Sequence, residues 1–297
     1  MSSYDVVIIG GGPSGMTAAL YLLRGGKKVL LIEETVLGGQ TNQTGVIENY
    51  PCVVGKTGFE LSYELSKQCK EAGLVIKYSS VSVEDLSSPI KKLVAGGEEI
   101  ETQNVIIATG ATPKKLGLKD EERLIGSGIS FCAHCDGYFF KDKRVAVVGG
   151  GDTALTDALY LSGLCEKVYL VHRRDSFRGT QKYIEELKNR ENVEFITSSE
   201  VVGLIGETAL ESVVLKTPDG ERNLEVSALF EAVGIIPSSS LFDVKKDENG
   251  FIIVDKNKKT SIDGVYAVGD VTDSPLRQIV TACADGAIAA NAVINRA

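Results

Sequence analysis

The chain has 297 residues and a formal net charge of −8 at pH 7, with 43% hydrophobic and 24% charged residues. This length allows two domains with cores of their own, and the composition is typical of a globular protein. The acidic balance argues against general binding to nucleic acid or anionic membranes, because both require a basic surface. No apolar stretch approaches the ~20 residues of a membrane-spanning helix, and no signal-peptide pattern opens the chain. We therefore expect a cytoplasmic protein without nucleic-acid or membrane partners.

The first motif follows a short apolar strand at residues 4–9. It is the glycine-rich turn Gly10-Gly11-Gly12-Pro13-Ser14-Gly15, which precedes a helical pattern and a second apolar strand ending at Glu33-Glu34. In such a unit the three spaced glycines allow a tight turn, close approach of the backbone to a pyrophosphate, and close packing of helix on strand. The helix N-terminus faces the phosphates, and Glu33 can bind ribose hydroxyls. The unit predicts a dinucleotide site.

The same unit repeats 139 residues later (149 − 10), as Gly149-Gly150-Gly151-Asp152-Thr153-Ala154. Where the first unit has Glu33-Glu34, the second has His172-Arg173, followed closely by Arg174 and Arg178. A carboxylate at this place selects a free 2′-hydroxyl, whereas arginines accommodate a 2′-phosphate. The first unit therefore suits FAD or NAD and the second NADPH. The alternative for the second is a solvated basic loop.

A second internal repeat supports a duplication. Residues 104–113, which include Ala108-Thr109-Gly110, match residues 228–237 at an offset of 124 (228 − 104), and each apolar strand ends in a small residue and a glycine. Near the C-terminus, Gly269-Asp270 ends another apolar strand, and a helix is predicted from Arg277 to Ile294. Asp270 can accept a hydrogen bond from a ribityl hydroxyl, and the alternative is a capping aspartate.

Between the two glycine-rich turns lies Cys132-Ala133-His134-Cys135-Asp136. Two cysteines at this spacing can close a small disulfide, and a nearby charge or acid/base can make one of them a thiolate. The rival interpretation is half of a zinc site, but His134 and His172 are the only histidines of the chain. The sequence therefore favours a redox pair and predicts no metal.

Together these motifs resemble the low-molecular-weight thioredoxin reductases over essentially the whole chain. The stretches that carry the resemblance are Gly10–Gly15, Gly38-Gly39-Gln40, Glu48-Asn49-Tyr50-Pro51, Ala108-Thr109-Gly110, Cys132–Gly137, Gly149–Ala154, His172–Arg178, Gly269-Asp270-Val271 and Arg277-Gln278. The resemblance implies an α/β fold with two Rossmann-like three-layer nucleotide-binding domains, the second inserted into the first. Residues 1–112 and 243–297 would form the FAD-binding domain, and residues 113–242 the NADPH-binding domain that carries the redox cysteines.

The resemblance also implies an activity, in which hydride passes from NADPH to FAD and reducing equivalents then pass to the Cys132–Cys135 disulfide. That dithiol would exchange with the disulfide of thioredoxin or a thioredoxin-like protein. By similarity, Cys135 contacts the flavin, Cys132 attacks the partner, and Asp136 is the general acid/base. The family further implies a homodimer, and rotation of the NADPH domain about connecting strands near residues 110–116 and 233–241.

The residues predicted to bind cofactors follow from these motifs. For FAD they are Gly10, Gly12, Pro13, Ser14, Gly15, Glu33, Glu34, Gly39, Gln40, Asn49, Ala108, Thr109, Gly110, Gly269, Asp270, Arg277 and Gln278. For NADPH they are Gly149, Gly151, Asp152, Thr153, Ala154, His172, Arg173, Arg174 and Arg178.

The chain departs from the usual family pattern at four places. His134 stands where a small residue such as threonine is common, Thr156-Asp157 replaces two glutamates, Gly179 replaces an alanine, and Leu276 stands where an aromatic often precedes the Arg-Gln pair. The second departure leaves ferredoxin or NADH open as the electron donor, although the arginines favour NADPH. A flavin-binding redox sensor that does not turn over is the alternative from another functional class.

Overall fold

The computed structural model describes residues 3–44, 46–47 and 49–296. The chain divides into two compact units. The first unit contains the residues up to Thr112 and those from Ile236 onward, and the inserted unit is Pro113–Ile235. Within the described ranges, no helix combines the length and the apolar character needed to cross a membrane.

The elements follow one another in three stretches of chain. The first stretch contains β1 (Ser3–Ile9), α1 (Pro13–Arg24), β2 (Val29–Glu33), α2 (Gly58–Glu71), β3 (Val75–Tyr78), β4 (Val81–Asp85), β5 (Lys91–Ala95), β6 (Glu98–Ile107) and β7 (Ala111–Pro113). The inserted unit contains α3 (Glu121–Leu124), β8 (Ile129–Ser130), α4 (Ala133–Asp136), β9 (Arg144–Val148), α5 (Asp152–Ser162), β10 (Lys167–Val171), α6 (Gln181–Lys188), β11 (Val193–Ile196), β12 (Glu200–Ile205), β13 (Ser212–Thr217), β14 (Gly220–Glu225) and β15 (Ala228–Glu231). The return stretch begins at β16 (Ile235–Pro237) and contains β17 (Val265–Ala267) and α7 (Ile279–Ile294).

Both units are built on a parallel sheet with the glycine-turn strand near its middle. In the first unit the parallel order is β3-β2-β1-β6-β17, and β5 and β4 continue antiparallel from β6. In the inserted unit the parallel order is β11-β10-β9-β15-β8, and β12, β13 and β14 form a separate antiparallel sheet. This order is that of a Rossmann-like sheet, which confirms the predicted fold class.

The central strand of each parallel sheet is buried on both faces, because residues 6–9 of β1 and 145–148 of β9 are apolar at every position rather than at alternate ones. In β1, Val6 and Ile8 pack with residues of α1 and α7, whereas Val7 and Ile9 pack with β5 and the return stretch. In the inserted unit, the side chains of β9 alternate in the same way: one set packs with residues of α5 and α6, and the other packs with residues of β13. The three layers are therefore helices, parallel sheet and antiparallel strands in both units.

The connecting segments, β7 and β16, pair with each other as a two-stranded sheet. The residues that follow β16 belong to the first unit, since the Ser238 N–H donates to the Gly110 carbonyl at 2.9 Å and Phe242 is buried in the first unit's core. The predicted boundary after residue 242 thus lies seven residues beyond the observed division (242 − 235). Which cofactor each unit holds stays a prediction.

Candidate nucleotide and disulfide sites

Each glycine-rich turn begins with a glycine pressed against the neighbouring strand. Gly10 has φ of +107°, and a Cβ there would overlap the carbonyl oxygen of Ala108. Gly149 has φ of +156°, and a Cβ there would overlap the carbonyl oxygen of Ala232. Both the left-handed conformation and the lack of space require glycine. Within each unit, the glycine-rich turn therefore contacts the end of the strand that belongs to the second internal repeat, Ala108 in one case and Ala232 in the other.

The turns leave two open helix N-termini. Gly12 precedes α1 and Gly151 precedes α5, and neither glycine has a side chain that could cap its helix. A Cβ at either glycine would meet nothing within 4 Å. Uncapped N–H groups and the positive end of the helix dipole form a site for an anion. This space fits a pyrophosphate in both units.

Glu33 is fixed beside the first turn. One of its carboxylate oxygens, Oε2, accepts a hydrogen bond from the Gly11 N–H at 2.7 Å, and Oε1 accepts one from the Thr35 N–H at 3.0 Å. These bonds hold the carboxylate at the end of β2, where the sequence predicts a ribose contact. The neighbouring Glu34 is exposed.

The next FAD candidates lie on a short 3-10 helix and in the stretch that follows it. The N–H of Gly38 donates to the Gly11 carbonyl at 2.8 Å, which brings the exposed pair Gly39-Gln40 beside the first turn. Further along, the Asn49 Nδ2 donates to the Gln278 Oε1 at 3.0 Å. Glu48, quoted for the resemblance, lies outside the described residues.

Four buried polar atoms of the first unit have no hydrogen-bond partner among the described residues. Three are Oδ1 of Asn42, Oγ of Ser62 and Nε of Arg277, and the fourth is the hydroxyl oxygen of Tyr266 on β17. Burial of an unpaired polar group is costly, so such atoms mark positions at which a ligand can complete the hydrogen bonding. Arg277 is a predicted FAD residue, and Asn42 and Ser62 are additional candidates that no sequence pattern indicates.

The third part of the FAD candidate site is the turn after β17. Gly269, at φ of +73°, lies against Ser14, and its N–H donates to the Asp285 Oδ2 at 3.2 Å. Burial raises the pKa of Asp270, which follows it; Arg277 acts to lower that pKa, and Asp285 to raise it. The guanidinium of Arg277 stacks over the Phe251 ring at 4.2 Å. The charges of Arg277 and Asp285 therefore act in opposite directions on the pKa of Asp270.

Helix α7 begins two residues later than the sequence predicts (279 − 277). Gln278 is its N-cap, because the backbone there is extended at φ of −136° and ψ of 158°. The Gln278 N–H donates to the Thr281 Oγ1 at 3.1 Å, which closes a capping box. Arg277 and Gln278 thus precede the helix.

At the other FAD strand end, Ala108-Thr109-Gly110 connects β6 to β7. The Oγ1 of Thr109 donates to the Ser238 carbonyl at 2.6 Å, and a Cβ at Gly110 would meet nothing within 4 Å. The segment is therefore fixed by its neighbours but leaves open space beside Gly110.

His172 is buried beneath the second glycine-rich turn. Its ring stacks on Phe177 at 5.0 Å, and a Cβ at Gly150 would overlap the imidazole. Burial, followed by the charges of Arg174 and Arg178, lowers the pKa of His172, so the ring is neutral at pH 7. Its Nε2 is buried without a hydrogen-bond partner in the described ranges. This orphaned nitrogen fits a bound ligand.

Arg173, Arg174 and Arg178 are exposed after β10, and none of them forms an ion pair with a residue that the structure describes. The Arg178 N–H donates to the Gly150 carbonyl at 2.8 Å, so the arginine loop lies on the second turn. Uncompensated guanidinium groups suit a phosphate. The site therefore fits the 2′-phosphate of NADPH.

Gly179 allows this loop to approach α5. A Cβ at Gly179 would lie 2.9 Å from the Asp152 Oδ1 and 2.5 Å from a methyl group of Leu155. The Asp152 Oδ1 also accepts a hydrogen bond from the Thr180 N–H at 2.6 Å. An alanine would push the loop away from α5, which explains glycine at this position.

The two cysteines of the motif are joined. The sulfurs of Cys132 and Cys135 form a disulfide with their Cα atoms 5.3 Å apart. The N–H groups of Cys135 and Asp136 both donate to the Cys132 carbonyl at 3.1 Å, because α4 begins between the cysteines. Within the described part of the chain, no group of three or more His, Cys, Asp or Glu could hold a metal ion.

Asp136 is linked to the disulfide through Ser130. The Ser130 Oγ donates to the Asp136 Oδ2 at 2.7 Å and accepts from the Cys132 N–H at 3.1 Å. Burial raises the pKa of Asp136, and the hydrogen bond from Ser130 opposes this rise. No pattern in the sequence indicates this role of Ser130, because a contact across a strand end and a turn leaves no periodic signal.

Three residues that depart from the family pattern have defined surroundings in the inserted unit. The exposed His134 places its ring 4.3 Å from that of Tyr160 on α5. The Thr156 Oγ1 donates to the Asp152 carbonyl at 2.9 Å, within its own helix. Asp157 is buried, which raises its pKa to about 7.

Comparison with known proteins agrees with this geometry. The family model described as pyridine nucleotide-disulphide oxidoreductase matches residues 4–286. A thioredoxin reductase of Peptoclostridium acidaminophilum is 40% identical over 97% of this chain and 95% of its own, and one of Helicobacter pylori is 40% identical over 98% of each. The crystal structure of thioredoxin reductase from Streptococcus pyogenes matches with a TM-score of 0.91 at 38% identity, covering 98% of this chain and 97% of its own.

The chain therefore belongs to the pyridine nucleotide-disulphide oxidoreductase family. Within that family, it is similar along nearly its whole length to thioredoxin reductases, as the resemblance predicts. These proteins use FAD and NADPH. The open glycine turns, the orphaned polar atoms and the unpaired arginines fit both cofactors.

The arginine loop leads to a prediction about nucleotide preference. Replacing Arg174 by alanine should raise the KM for NADPH about 10- to 100-fold, the effect of one lost charge-assisted hydrogen bond. The KM for NADH should hardly change, because NADH lacks the 2′-phosphate. Steady-state kinetics with both nucleotides measure this difference. Arg190→Ala removes an exposed arginine of the same unit that pairs with Glu186 and is the control; an equal loss for NADPH and NADH in Arg174→Ala would contradict the prediction.

Proposed function

We propose that the chain is an NADPH-dependent thioredoxin reductase, with FAD in the first unit and NADPH in the inserted unit. The observation that carries the proposal is the Cys132–Cys135 disulfide with its linked carboxyl group, in a chain that holds two open glycine-turn sites. The unpaired arginines of the second site support NADPH as the donor. The Glu33 carboxylate, which the Gly11 and Thr35 N–H groups hold at the end of β2, supports FAD in the first site.

When bound, FAD supplies the carrier through which two electrons pass from NADPH to the disulfide. Two electrons and one proton convert the Cys132–Cys135 disulfide to a Cys132 thiolate and a Cys135 thiol. The Cys132 thiolate attacks one sulfur of the thioredoxin disulfide, that S–S bond breaks, and the leaving thioredoxin sulfur takes a proton. The Cys135 thiol then gives up its proton and attacks Cys132 in the mixed disulfide as a thiolate. This restores the protein disulfide and releases the second thioredoxin sulfur, which takes up that proton.

Asp136 is the proposed proton donor for the leaving sulfur. A general acid must still hold its proton near neutral pH, and burial raises the pKa of Asp136 in that direction. Ser130 fixes the carboxyl group relative to Cys132. These two residues therefore place a proton next to the reacting sulfurs.

Two large aromatic side chains lie directly after the motif. Tyr138 is 51% exposed and Phe139 is 48% exposed, on the 3-10 helix Gly137–Phe140. Adjacent exposed aromatics are typical of protein-binding surfaces. This supports a protein disulfide, rather than a small one, as the substrate, and we propose that thioredoxin docks here.

We also propose a homodimer formed through the first unit. A groove of about 680 Å³ runs between α1, α2 and α7, and its apolar wall includes Leu20, Leu65 and Val280. Tyr21 and Ile288 add exposed apolar surface on the same helices. A second copy of this chain would cover this exposed apolar surface.

We infer a cytoplasmic location from the remaining cysteines. Cys52, Cys69, Cys165 and Cys283 are free thiols. Unpaired cysteines together with one redox-active pair are typical of a reducing compartment, in which thioredoxin systems keep thiols reduced.

Catalytic turnover tests the proposed function. Purified holoenzyme should oxidise many equivalents of NADPH per flavin when thioredoxin is supplied, and Cys132→Ser should abolish this while still accepting electrons from NADPH. The reaction is followed by NADPH absorbance, and flavin absorbance is recorded anaerobically. Reduction of only one disulfide per flavin would instead indicate a redox sensor. If reduced ferredoxin bleaches the flavin and NADPH does not, the choice of NADPH as donor would be overturned.

The pH dependence tests Asp136. With the wild type, kcat/KM for thioredoxin should fall as pH rises through the pKa of Asp136, because the carboxyl group loses its proton. Ser130→Ala removes a bond that stabilises the carboxylate, so the fall should move to higher pH. Asp136→Asn should lower the rate about 100-fold and remove this dependence. Asp142→Asn changes an exposed carboxylate of the same unit and should leave the profile unchanged; an unaltered profile in Ser130→Ala would contradict the assignment.

The dimer proposal predicts a monomer when the groove carries a charge. Val280→Glu should dissociate the dimer, because the carboxylate would be buried without a partner in the interface. Sedimentation velocity measures the mass of the particle. Val202→Glu is the matched control, since Val202 is 42% exposed in the inserted unit and Val280 is 39% exposed in the groove. A monomeric wild type, or a dimeric Val280→Glu, would refute the proposed interface.

A further inference from the structure

A lysine and an aspartate far apart in the sequence meet beside the Gly269-Asp270 turn. The Lys258 Nζ lies 2.6 Å from the Asp285 Oδ1, and their side chains are only 17% and 10% exposed. The other ion pairs described here each include a side chain exposed by a third or more. A pair withdrawn from water in this way costs desolvation energy and calls for a role beyond general stability.

The pair is bonded to both sides of the turn. The second carboxylate oxygen of Asp285, Oδ2, accepts a hydrogen bond from the Gly269 N–H at 3.2 Å. The Lys258 carbonyl accepts one from the Ala267 N–H at 3.0 Å. Backbone, ammonium and carboxylate therefore form a closed ring of contacts around residues 267–269. Asp270 is the next residue of the chain.

The backbone at Lys258 is itself unusual. Lys258 has φ of +63°, in the left-handed region that side-chain-bearing residues rarely adopt. The conformation is held by its neighbours, because the Lys258 N–H donates to the Asp255 carbonyl at 3.0 Å and the Lys259 N–H donates to the Asp255 Oδ1 at 2.9 Å. A strained residue that its surroundings fix in this manner is found most often where position matters.

Asp285 is placed at a close crossing of helices. A Cβ at Gly286 would overlap the carbonyl oxygen of Ser14 on α1, so α7 lies directly against the helix that follows the first glycine-rich turn. Asp285 therefore cannot shift without moving α7 relative to α1. The position of the Asp285 carboxylate therefore determines the position of the Gly269 N–H that donates to it.

We propose that Lys258 and Asp285 form a positioning pair, which holds the Gly269-Asp270 turn for FAD and keeps this side of the flavin site free of excess charge. The inference rests on the proposed FAD site in the first unit. Neither residue is proposed to touch the flavin. Asp285 orients the turn through the Gly269 N–H. Lys258 neutralises the charge of Asp285, so that Asp285 adds no uncompensated negative charge near Asp270.

The charge balance has a consequence for each partner. Without Lys258, the Asp285 carboxylate would add an unpaired negative charge near Asp270, and the two carboxylates would repel each other. Without the charge of Asp285, the Lys258 ammonium would remain as an unpaired positive charge. A bound redox group accepts electrons less readily beside excess negative charge and more readily beside excess positive charge. The two single substitutions should therefore act in opposite directions.

Retention of FAD by the holoenzyme is the first test. Lys258→Met and Asp285→Asn should each weaken FAD binding about 10- to 100-fold, the loss expected for a charged hydrogen bond. Released FAD is measured by its fluorescence on dilution, in a chain that has no tryptophan. Asp263→Asn is the control, because Asp263 forms an ion pair with Arg296 and is 82% exposed. Lys258→Arg, which keeps the charge, should retain more FAD than Lys258→Met.

The midpoint potential of the bound flavin is the second test. It should be lower in Lys258→Met, higher in Asp285→Asn, and near the wild-type value in the double variant. A purely structural role would not give opposite signs. Unchanged FAD retention in both variants, or potentials that move in the same direction, would overturn the proposal. If Asp285→Asn does not fold, Lys258→Met decides alone, and unchanged FAD retention or a midpoint potential that does not fall in this variant would overturn the proposal. A wild type that holds no FAD would contradict the proposed function instead.

Discussion

The structure depends on a close approach between two backbones, which occurs once in each unit. A glycine at the end of the central strand lies against the carbonyl group of the neighbouring strand, Gly10 on Ala108 and Gly149 on Ala232. Any side chain at these places would separate the strands and turn the following helix away. The approach therefore fixes the direction of α1 and α5 and leaves their first N–H groups open. The phosphate sites proposed at these helix N-termini depend on it.

The same scaffold carries different chemistry at the ends of its second strands. After β2, the Glu33 carboxylate is held by backbone N–H groups. After β10, a neutral histidine is buried and three arginines are exposed. The backbone geometry is common to both units, and a few side chains decide which nucleotide each can hold. A duplicated fold can thus serve two cofactors without any change in its core.

The sequence predicts those features that arise from neighbouring residues. The glycine turns, the helices after them and the cysteine motif are local, so their spacing is visible directly. Contacts between distant segments are not visible in this way. Ser130 reaches Asp136 across a turn, and Asp285 meets Lys258 from another element. The division after Ile235 also depends on hydrogen bonds to residues more than a hundred positions earlier, which is why the predicted boundary lies too far along the chain.

The pairing of β7 with β16 has a consequence for how such a chain can arise. The chain leaves the first unit after Thr112 and returns to it at Ile236. These two points are adjacent, since the Thr112 Oγ1 donates to the Ile236 carbonyl at 3.5 Å. An ancestral single-unit protein would need only a short surface loop at this place. A second gene copy inserted into that loop would leave every strand of the host in its original order. The two-cofactor architecture is therefore accessible by one recombination event, without an intermediate that has lost its core.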